Sequence, residues 1–372
     1  MIGTIKPFNT IGKVETMAAI TAMVNGPLSG YLAGKERGGR NVCALEDAWC
    51  ETFGVKHAVA CNSATSGLLA ACAAAGIGDD PTDKVITTPF TMSATAAAPA
   101  FLGAKVIFGD IEDQNFSLQE CPPHHGNVKA SIITNLFGHP ATLKEARRTA
   151  EVLRGILIED NAQSPFAMEH GKYAGTIGHI GVWSLNIHKP IQCGEGGICT
   201  TDDDDLAAKM RAFINHGENT GGPIGLNLRM PEVCAAIALT QLRRGKQIVA
   251  ERVEQAEAII AAIGDIPGLR PPVVREGCTH SYYCIPFLVE KNRAELCAAL
   301  REDGVPIEEG YVDPLYRMSA FSRFARPCPV AEDLQDRRLL YFENCARSPT
   351  GEQIKQIGDA FKRAAEKWVI DQ

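Results

Sequence analysis

Residues 155–164 read GILIEDNAQS, an apolar run followed by two adjacent carboxylates and a polar exit. Ile156, Leu157 and Ile158 form the short continuous apolar stretch of a strand buried on both faces. Asp160 closes that run, so it stands at the strand's carboxyl end. Outward from this point the same pattern recurs. Upstream lie AVACNS (58–63), KVITT (84–88), KVIFGDI (105–111) and SIITNL (131–136), and downstream lie GVWSLN (181–186) and GGICTT (196–201). Helix-forming residues separate several of these runs, notably Thr65 to Ala75 and Leu143 to Arg154. Strands alternating with helices imply βαβ units, hence an α/β fold with a mostly parallel sheet flanked by helices. Ligands of such sheets bind outside the carboxyl ends of the strands, where Asp160 stands.

Beyond Asn227 the texture changes. A long helical pattern begins near Pro231 and runs to a Gly264 stop. It is followed by a strand pattern at 281–290, a helix at 293–304 and further helices near 330–341 and 350–367. The reading is a large domain, residues 1–245, and a smaller α+β domain, residues 246–372. The 372 residues suit two such units. Hydrophobic residues at 45% and charged residues at 22% describe a globular enzyme, and a net charge of −7 with interspersed signs offers no nucleic-acid footprint. The N-terminus carries no readable signal peptide. The apolar stretch from Thr91 to Leu102 is too short to span a bilayer. Thirteen cysteines without a C-x-x-C pair read as reduced core residues, with no metal site. A cytoplasmic, metal-free enzyme with no membrane or nucleic-acid partner is expected.

Three segments carry chemistry. Asp160, facing a protonated ring nitrogen, would keep a pyridine cationic, and Gln163 three residues on would reach a phenolic oxygen; the plain alternative is a helix N-cap. Lys189, in the SLNIHKPIQCGEGG run (184–197), sits among apolar neighbours before a glycine-rich turn. Desolvation there would lower its pKa and free its amine for bonding to a carbonyl; the alternative is a surface lysine. CNSATSG (61–67) leaves a strand and enters a helix with hydroxyls in the first turn, a phosphate cradle or a simple cap. Ser184 would add another phosphate hydroxyl. A cradle, a ring-nitrogen carboxylate and an amine are together the fixtures that pyridoxal phosphate requires, and each stands at the end of an expected strand.

The chain resembles the DegT/DnrJ/EryC1/StrS family, the sugar aminotransferases of the fold-type-I pyridoxal-phosphate superfamily. The resemblance rests on GPLSG (26–30), LEDAWCETFGVKHAVAC (45–61), NSATSGLLAA (62–71), VITTPFTMSATAAAPAFLGAKVIFGDI (85–111) and IEDNAQS (158–164). The SLNIHKPIQCGEGG run, NHG (215–217) and NLRMPEVCAAIALTQL (227–242) complete it. It implies that Lys189 bonds the cofactor, that Asp160 meets the pyridine nitrogen and Gln163 the phenolic oxygen, and that Thr65, Ser66 and Ser184 contact the phosphate. Asn227 falls where the family reaches the phosphate of a neighbouring subunit, implying a homodimer with shared sites. Glu195 falls on an acidic residue near the amino-group chemistry.

Several positions depart from the family. Met92 stands where an aromatic ring usually stacks on the cofactor. Asn186 replaces a common His three residues before the lysine, and Gly310-Tyr311 replaces a frequent His-Tyr pair, which leaves Tyr311 as a substrate-side candidate. The resemblance implies amino transfer from glutamate or glutamine to a keto-sugar, nucleotide-linked, or to a keto-cyclitol. The alternatives are a dehydratase or lyase using the same cofactor, because one branch of the family puts His in place of the lysine, and a non-catalytic regulator. This chain keeps Lys189, with His188 beside it, which favours transamination.

Overall fold

The structure is a computed structural model that describes residues 2–31, 37–119, 127–217 and 224–370. In chain order the first elements are β1 (Lys6–Pro7), α1 (Lys13–Asn25), α2 (Arg40–Phe53), β2 (His57–Cys61), α3 (Ala64–Ala74) and β3 (Lys84–Thr87). Then come α4 (Ser93–Phe101), β4 (Lys105–Phe108), β5 (Val128–Thr134), α5 (Leu143–Val152), β6 (Ile156–Asp160) and a hairpin, β7 (Met168–Glu169) and β8 (Lys172–Tyr173). The large sheet closes with β9 (Ile180–Ser184) and β10 (Gly197–Thr201), before α6 (Asp204–Ile214) and the long α7 (Glu232–Ile263).

The large sheet has seven strands in the order β2-β10-β9-β6-β5-β3-β4. All run parallel except β10, which is antiparallel to both β2 and β9. The central strands are buried on both faces, which is why they read as apolar runs rather than as alternating patterns. Because β2, β3, β5, β6 and β9 point the same way, Cys61, Thr87, Thr134, Asp160 and Ser184 all arrive at one edge of the sheet. β10 enters from that edge, so its first residue, Gly197, pairs with Cys61 on one side and Ser184 on the other.

The C-terminal part contains β11 (Leu269–Arg270), β12 (Ile285–Val289), α8 (Arg293–Glu302), β13 (Ile307–Glu309), α9 (Pro329–Asp333), β14 (Leu339–Phe342), β15 (Arg347–Ser348) and α10 (Gly351–Ala365). Its antiparallel sheet, ordered β11-β12-β14-β13, packs with α8 and α10 around Phe287, Leu296, Phe342 and Phe361. α7 joins the two cores. Ala235, Ala238 and Leu242 pack beneath the large sheet with Trp49 and Trp183, whereas Ala256, Ile259 and Ile263 belong to the C-terminal core. The N-terminal segment crosses over, with Ile5 packed in that second core and β1 paired to β15.

One expectation needs correction. The helix expected near 330–341 ends early, and residues 339–342 form β14, one of the two inner strands of the small sheet. Leu-Leu-Tyr-Phe is an unalternating apolar run, for which periodicity does not separate strand from helix. Along α7, the apolar run from Cys234 to Leu239 is partly covered by the chain itself. Within the chain Ala235, Ala236 and Ala238 are already buried and the others half-buried, under α1 and α2. An uncovered apolar face lies on α1, where Val14, Met17, Ile20, Met23 and Val24 are exposed.

Candidate active site

The common edge of the sheet gathers the chemical residues. Asp160, last in β6, is buried. Its Oδ2 accepts a hydrogen bond from Thr95 Oγ1 at 2.7 Å and its Oδ1 one from the Ala162 amide at 3.2 Å. Burial pushes its carboxyl above the ordinary range, against the pull of those two bonds and the charge of Lys189. A carboxylate oxygen has two acceptor positions, so Oδ1 retains one without a partner among the described residues.

Lys189 lies on the loop between β9 and β10. Its amine has no hydrogen-bond or ion-pair partner among the described residues; its neighbour is the Tyr283 ring, whose centroid is 4.3 Å from Nζ. Burial lowers the amine's pKa, and Asp160 is the largest opposing charge. Asp160 and Lys189 thus sense each other without forming a salt bridge. A buried, unpaired amine and an under-bonded carboxylate held apart form an incomplete arrangement, one that a ring placed between them would complete. The donor set fits pyridoxal phosphate.

Gln163 is buried beside Asp160. Its Oε1 accepts from the Phe137 amide at 2.7 Å and its Nε2 donates to Tyr311 Oη at 2.6 Å, which leaves the second amide hydrogen to give. Tyr311 is therefore drawn into the site, edge-on to Phe90 and Phe137. The segment 281–283 presses on Gly138 (φ +107°), where a Cβ would stand 2.6 Å from the Tyr282 amide. This close approach brings the C-terminal part, and Tyr283 with it, over Lys189.

At the mouth of β2, Ser63 caps α3 and accepts from the Ser66 amide at 3.1 Å. Ser66 in turn gives its hydroxyl hydrogen to Asn62 Oδ1 at 2.6 Å. The Ala64 and Thr65 amides and the exposed Thr65 hydroxyl have no partner among the described residues, so an anion could take them. Ser184 stands across β10 from this turn. Gly197 between them has no room for a side chain, since a Cβ would lie 2.5 Å from the Ser63 carbonyl carbon. Three candidates lie farther out. Met92 is 53% exposed at the start of α4. Glu195 is exposed and accepts from Asn186 Nδ2 at 2.9 Å. Asn227 is exposed on a segment bridged to Asn215. His188 also faces outward, away from the position of its neighbour.

The sequence reading missed the threonines behind Asp160, the Phe137 amide that holds Gln163, and Tyr283. The one readable signal was the Thr91–Thr95 spacing, which puts two hydroxyls on one face of a helical first turn.

Residues 28–362 match the DegT/DnrJ/EryC1/StrS aminotransferase family. The chain belongs to that family. It is an enzyme, a pyridoxal-phosphate-dependent aminotransferase. It is 35% identical to the GDP-perosamine synthase of Caulobacter vibrioides over 222 residues, 58% of this chain and 59% of that one. It is 30% identical to the UDP-2-acetamido-2-deoxy-3-oxo-D-glucuronate aminotransferase of Pseudomonas aeruginosa, across 79% of this chain and 83% of that one. Among solved structures, an aminotransferase from Psychrobacter cryohalolentis superposes with a TM-score of 0.87 at 26% identity, covering 98% and 99% of the two chains. A DegT DnrJ EryC1 StrS aminotransferase from Brucella abortus gives 0.84 at 26% identity over 94% of each. Among the described residues no helix is long and apolar enough to cross a membrane.

Proposed function

We propose that this aminotransferase moves an amino group from glutamate or glutamine to a nucleotide-linked keto-sugar, with keto-cyclitols as the second acceptor class. The observation that carries the reading is the unpaired Lys189 amine set apart from the under-bonded Asp160 at the sheet's carboxyl edge. Relatives named for nucleotide-sugar amination support the acceptor class.

When bound, pyridoxal phosphate supplies an aldehyde that takes up the amino group and a ring that spreads the electrons left when a carbon loses its proton. In this assignment Lys189 anchors it through its amine, Asp160 keeps a proton on the ring nitrogen, and Gln163 gives its spare amide hydrogen to the phenolic oxygen. Thr65, Ser66 and Ser184 hold the phosphate, and Met92 packs on the ring. Lys189 is also the proton carrier. Lowered in pKa by burial, its amine would take the proton from the donor's α-carbon and pass it to the cofactor's aldehyde carbon, and in the second half-reaction would carry a proton from that carbon to the acceptor's former carbonyl carbon. Glu195 and Tyr311 face the substrate side.

We further assign the division of the chain to 1–245 and 246–372, within α7, and its compartment to the cytoplasm, with neither nucleic acid nor membrane as partner. The working form is a homodimer in which Asn227 serves the neighbour's phosphate. The exposed apolar residues of α1 favour a second copy of the chain as their cover. Neither Lys189→Ala nor Asn227→Ala should be fully active alone, and mixing the two proteins should restore part of the activity once subunits exchange. A monomer by light scattering would defeat this assignment. The acceptor is tested by loading the protein with pyridoxamine phosphate and offering nucleotide keto-sugars and keto-cyclitols in turn. Return of the aldehyde-form absorbance with one nucleotide keto-sugar is expected, and a return with cyclitols alone would overturn the nucleotide-sugar reading.

A further inference from the structure

Behind Asp160 runs a line of three buried threonines from separate parts of the fold. Thr134 ends β5, Thr91 lies on the turn before α4, and Thr95 sits in the first turn of α4. Thr134 Oγ1 and Thr91 Oγ1 are 3.0 Å apart, Thr91 and Thr95 are 2.9 Å apart, and Thr95 Oγ1 gives its hydrogen to Asp160 Oδ2 at 2.7 Å. All three side chains are buried.

A hydroxyl has a single hydrogen to donate. Thr95 spends its own on Asp160, so in its contact with Thr91 it must accept. Thr91 has then donated, so it accepts from Thr134. The direction of every bond is set by the first, and all three hydrogens point toward the carboxylate. Such a chain polarises in one sense and stabilises the ionised acceptor at its end. The hydroxyls sit on β-branched side chains with stiff χ1 angles, so the line also fixes where Oδ2 lies. Oδ1 keeps the Ala162 amide and its unfilled acceptor position.

We propose that Thr95, backed by Thr91 and Thr134, is a positioning residue for Asp160: the directed hydroxyl chain holds the carboxylate ionised and oriented, leaving Oδ1 for the ring nitrogen. This rests on the reading of Asp160 as the ring-nitrogen partner.

The test uses Thr95→Val, which keeps the volume and removes the hydroxyl, and Thr95→Ser, which keeps it. A hydrogen bond to a charged group contributes enough that Thr95→Val should lower kcat roughly 10- to 100-fold, with donor KM little changed. Removing a bond to the ionised form raises the Asp160 pKa, so the acid limb of the kcat–pH profile should move to higher pH. Titration of the apoprotein with pyridoxal phosphate should show weaker binding. Thr95→Ser should recover all three readouts, and Thr91→Val, one step removed, should show the same shifts at smaller size. Should Thr95→Val fail to fold, Thr91→Val carries the test, and an unmoved acid limb in it overturns the proposal. An unmoved acid limb and unchanged cofactor affinity in folded Thr95→Val also overturn it, provided Asp160→Asn loses activity in the same series. If Asp160→Asn keeps its activity, the underlying reading of Asp160 fails instead.

Discussion

Glu159 and Asp160 are adjacent in β6, equally buried, and face opposite sides of the same sheet. Their surroundings differ in one respect. Glu159 accepts from four donors, the amides of Gly175, Ile177 and Gly178 and the side chain of Asn135. Asp160 accepts from two, and an amine without a partner lies near it. Burial raises the pKa of both. A buried carboxylate with every lone pair engaged is finished architecture: Glu159 pins the 175–178 turn to β6 with no counter-ion among the described residues. A buried carboxylate with a vacant position is costly to keep, and such sites persist where something else completes them.

The comparison is broken most directly on the Asp160 side. Lys189→Ala should lower turnover by roughly 10⁴-fold, since nucleophile and proton carrier are lost together. Borohydride should fix the cofactor to the wild-type peptide containing Lys189, and a label on another lysine would end the assignment. Asp160→Asn should cost about 10³-fold in kcat, equivalent to about 4 kcal/mol at 1.4 kcal/mol per decade, while folding survives. Glu159→Gln should do the reverse. Its amide NH₂ would be turned against backbone donors, so stability should fall by about 3 kcal/mol in urea. The protein that remains folded should keep kcat within tenfold of wild type. If the two variants fail in the same way, the contrast between the faces is wrong.

Acid supplies a smaller test with a sign of its own. His139 and His280 are buried behind Gly138, and His139 Nε2 accepts from the Arg275 amide, so protonation there breaks a bond. Burial, then the Arg275 charge, lowers the His139 pKa to about 4 from 6.5, and burial lowers that of His280. The unfolded chain therefore binds more protons than the folded one between those values. Stability from this source is complete above pH 6.5 and is lost as pH falls toward 4. Glu159 and Asp160 act oppositely, because a raised carboxyl pKa favours the folded state on acidification. A urea midpoint that declines from pH 7.5 to 5 thus belongs to the imidazoles, with roughly 2 kcal/mol from His139 alone. His139→Gln should flatten that decline; if it does not, the imidazole is not its source.

The layout of the large sheet was legible because its strands are short, buried runs punctuated by Gly, Pro and Thr, and Asp160 and Lys189 each lie just past such a run. Other elements lacked a pattern. α1 is apolar on nearly every side and α4 is almost all small residues with Pro99 inside, so neither shows a 3.6-residue stripe. β14 reads as helix or strand equally well. At the site, local segments could be recognised but not what lies against them. That Gln163 meets Tyr311, 148 residues away, and that Thr134 stands behind Thr91 are facts of packing. Likewise Tyr283 reaches Lys189 only because Gly138 lets the two parts of the chain close together.

The smallest effect probes the same face of the sheet through α4, whose first turn holds Thr95 and whose N-cap is Met92. The family resemblance puts an aromatic ring at Met92, and the thioether here is half in solvent, free of the packing that constrains Thr95. A phenyl ring would bury more apolar surface against a bound pyridine and gain stacking beyond that burial. Aromatic pairs contribute about 0.5–1.5 kcal/mol, so Met92→Phe should tighten pyridoxal phosphate binding about 2- to 10-fold in apoprotein titrations. The urea midpoint of the apoprotein should not move, since residue 92 is 53% exposed. Tighter binding with unaltered stability would place the ring on the Asp160 side, over α4. Unchanged affinity would mean that residue 92 does not touch the cofactor.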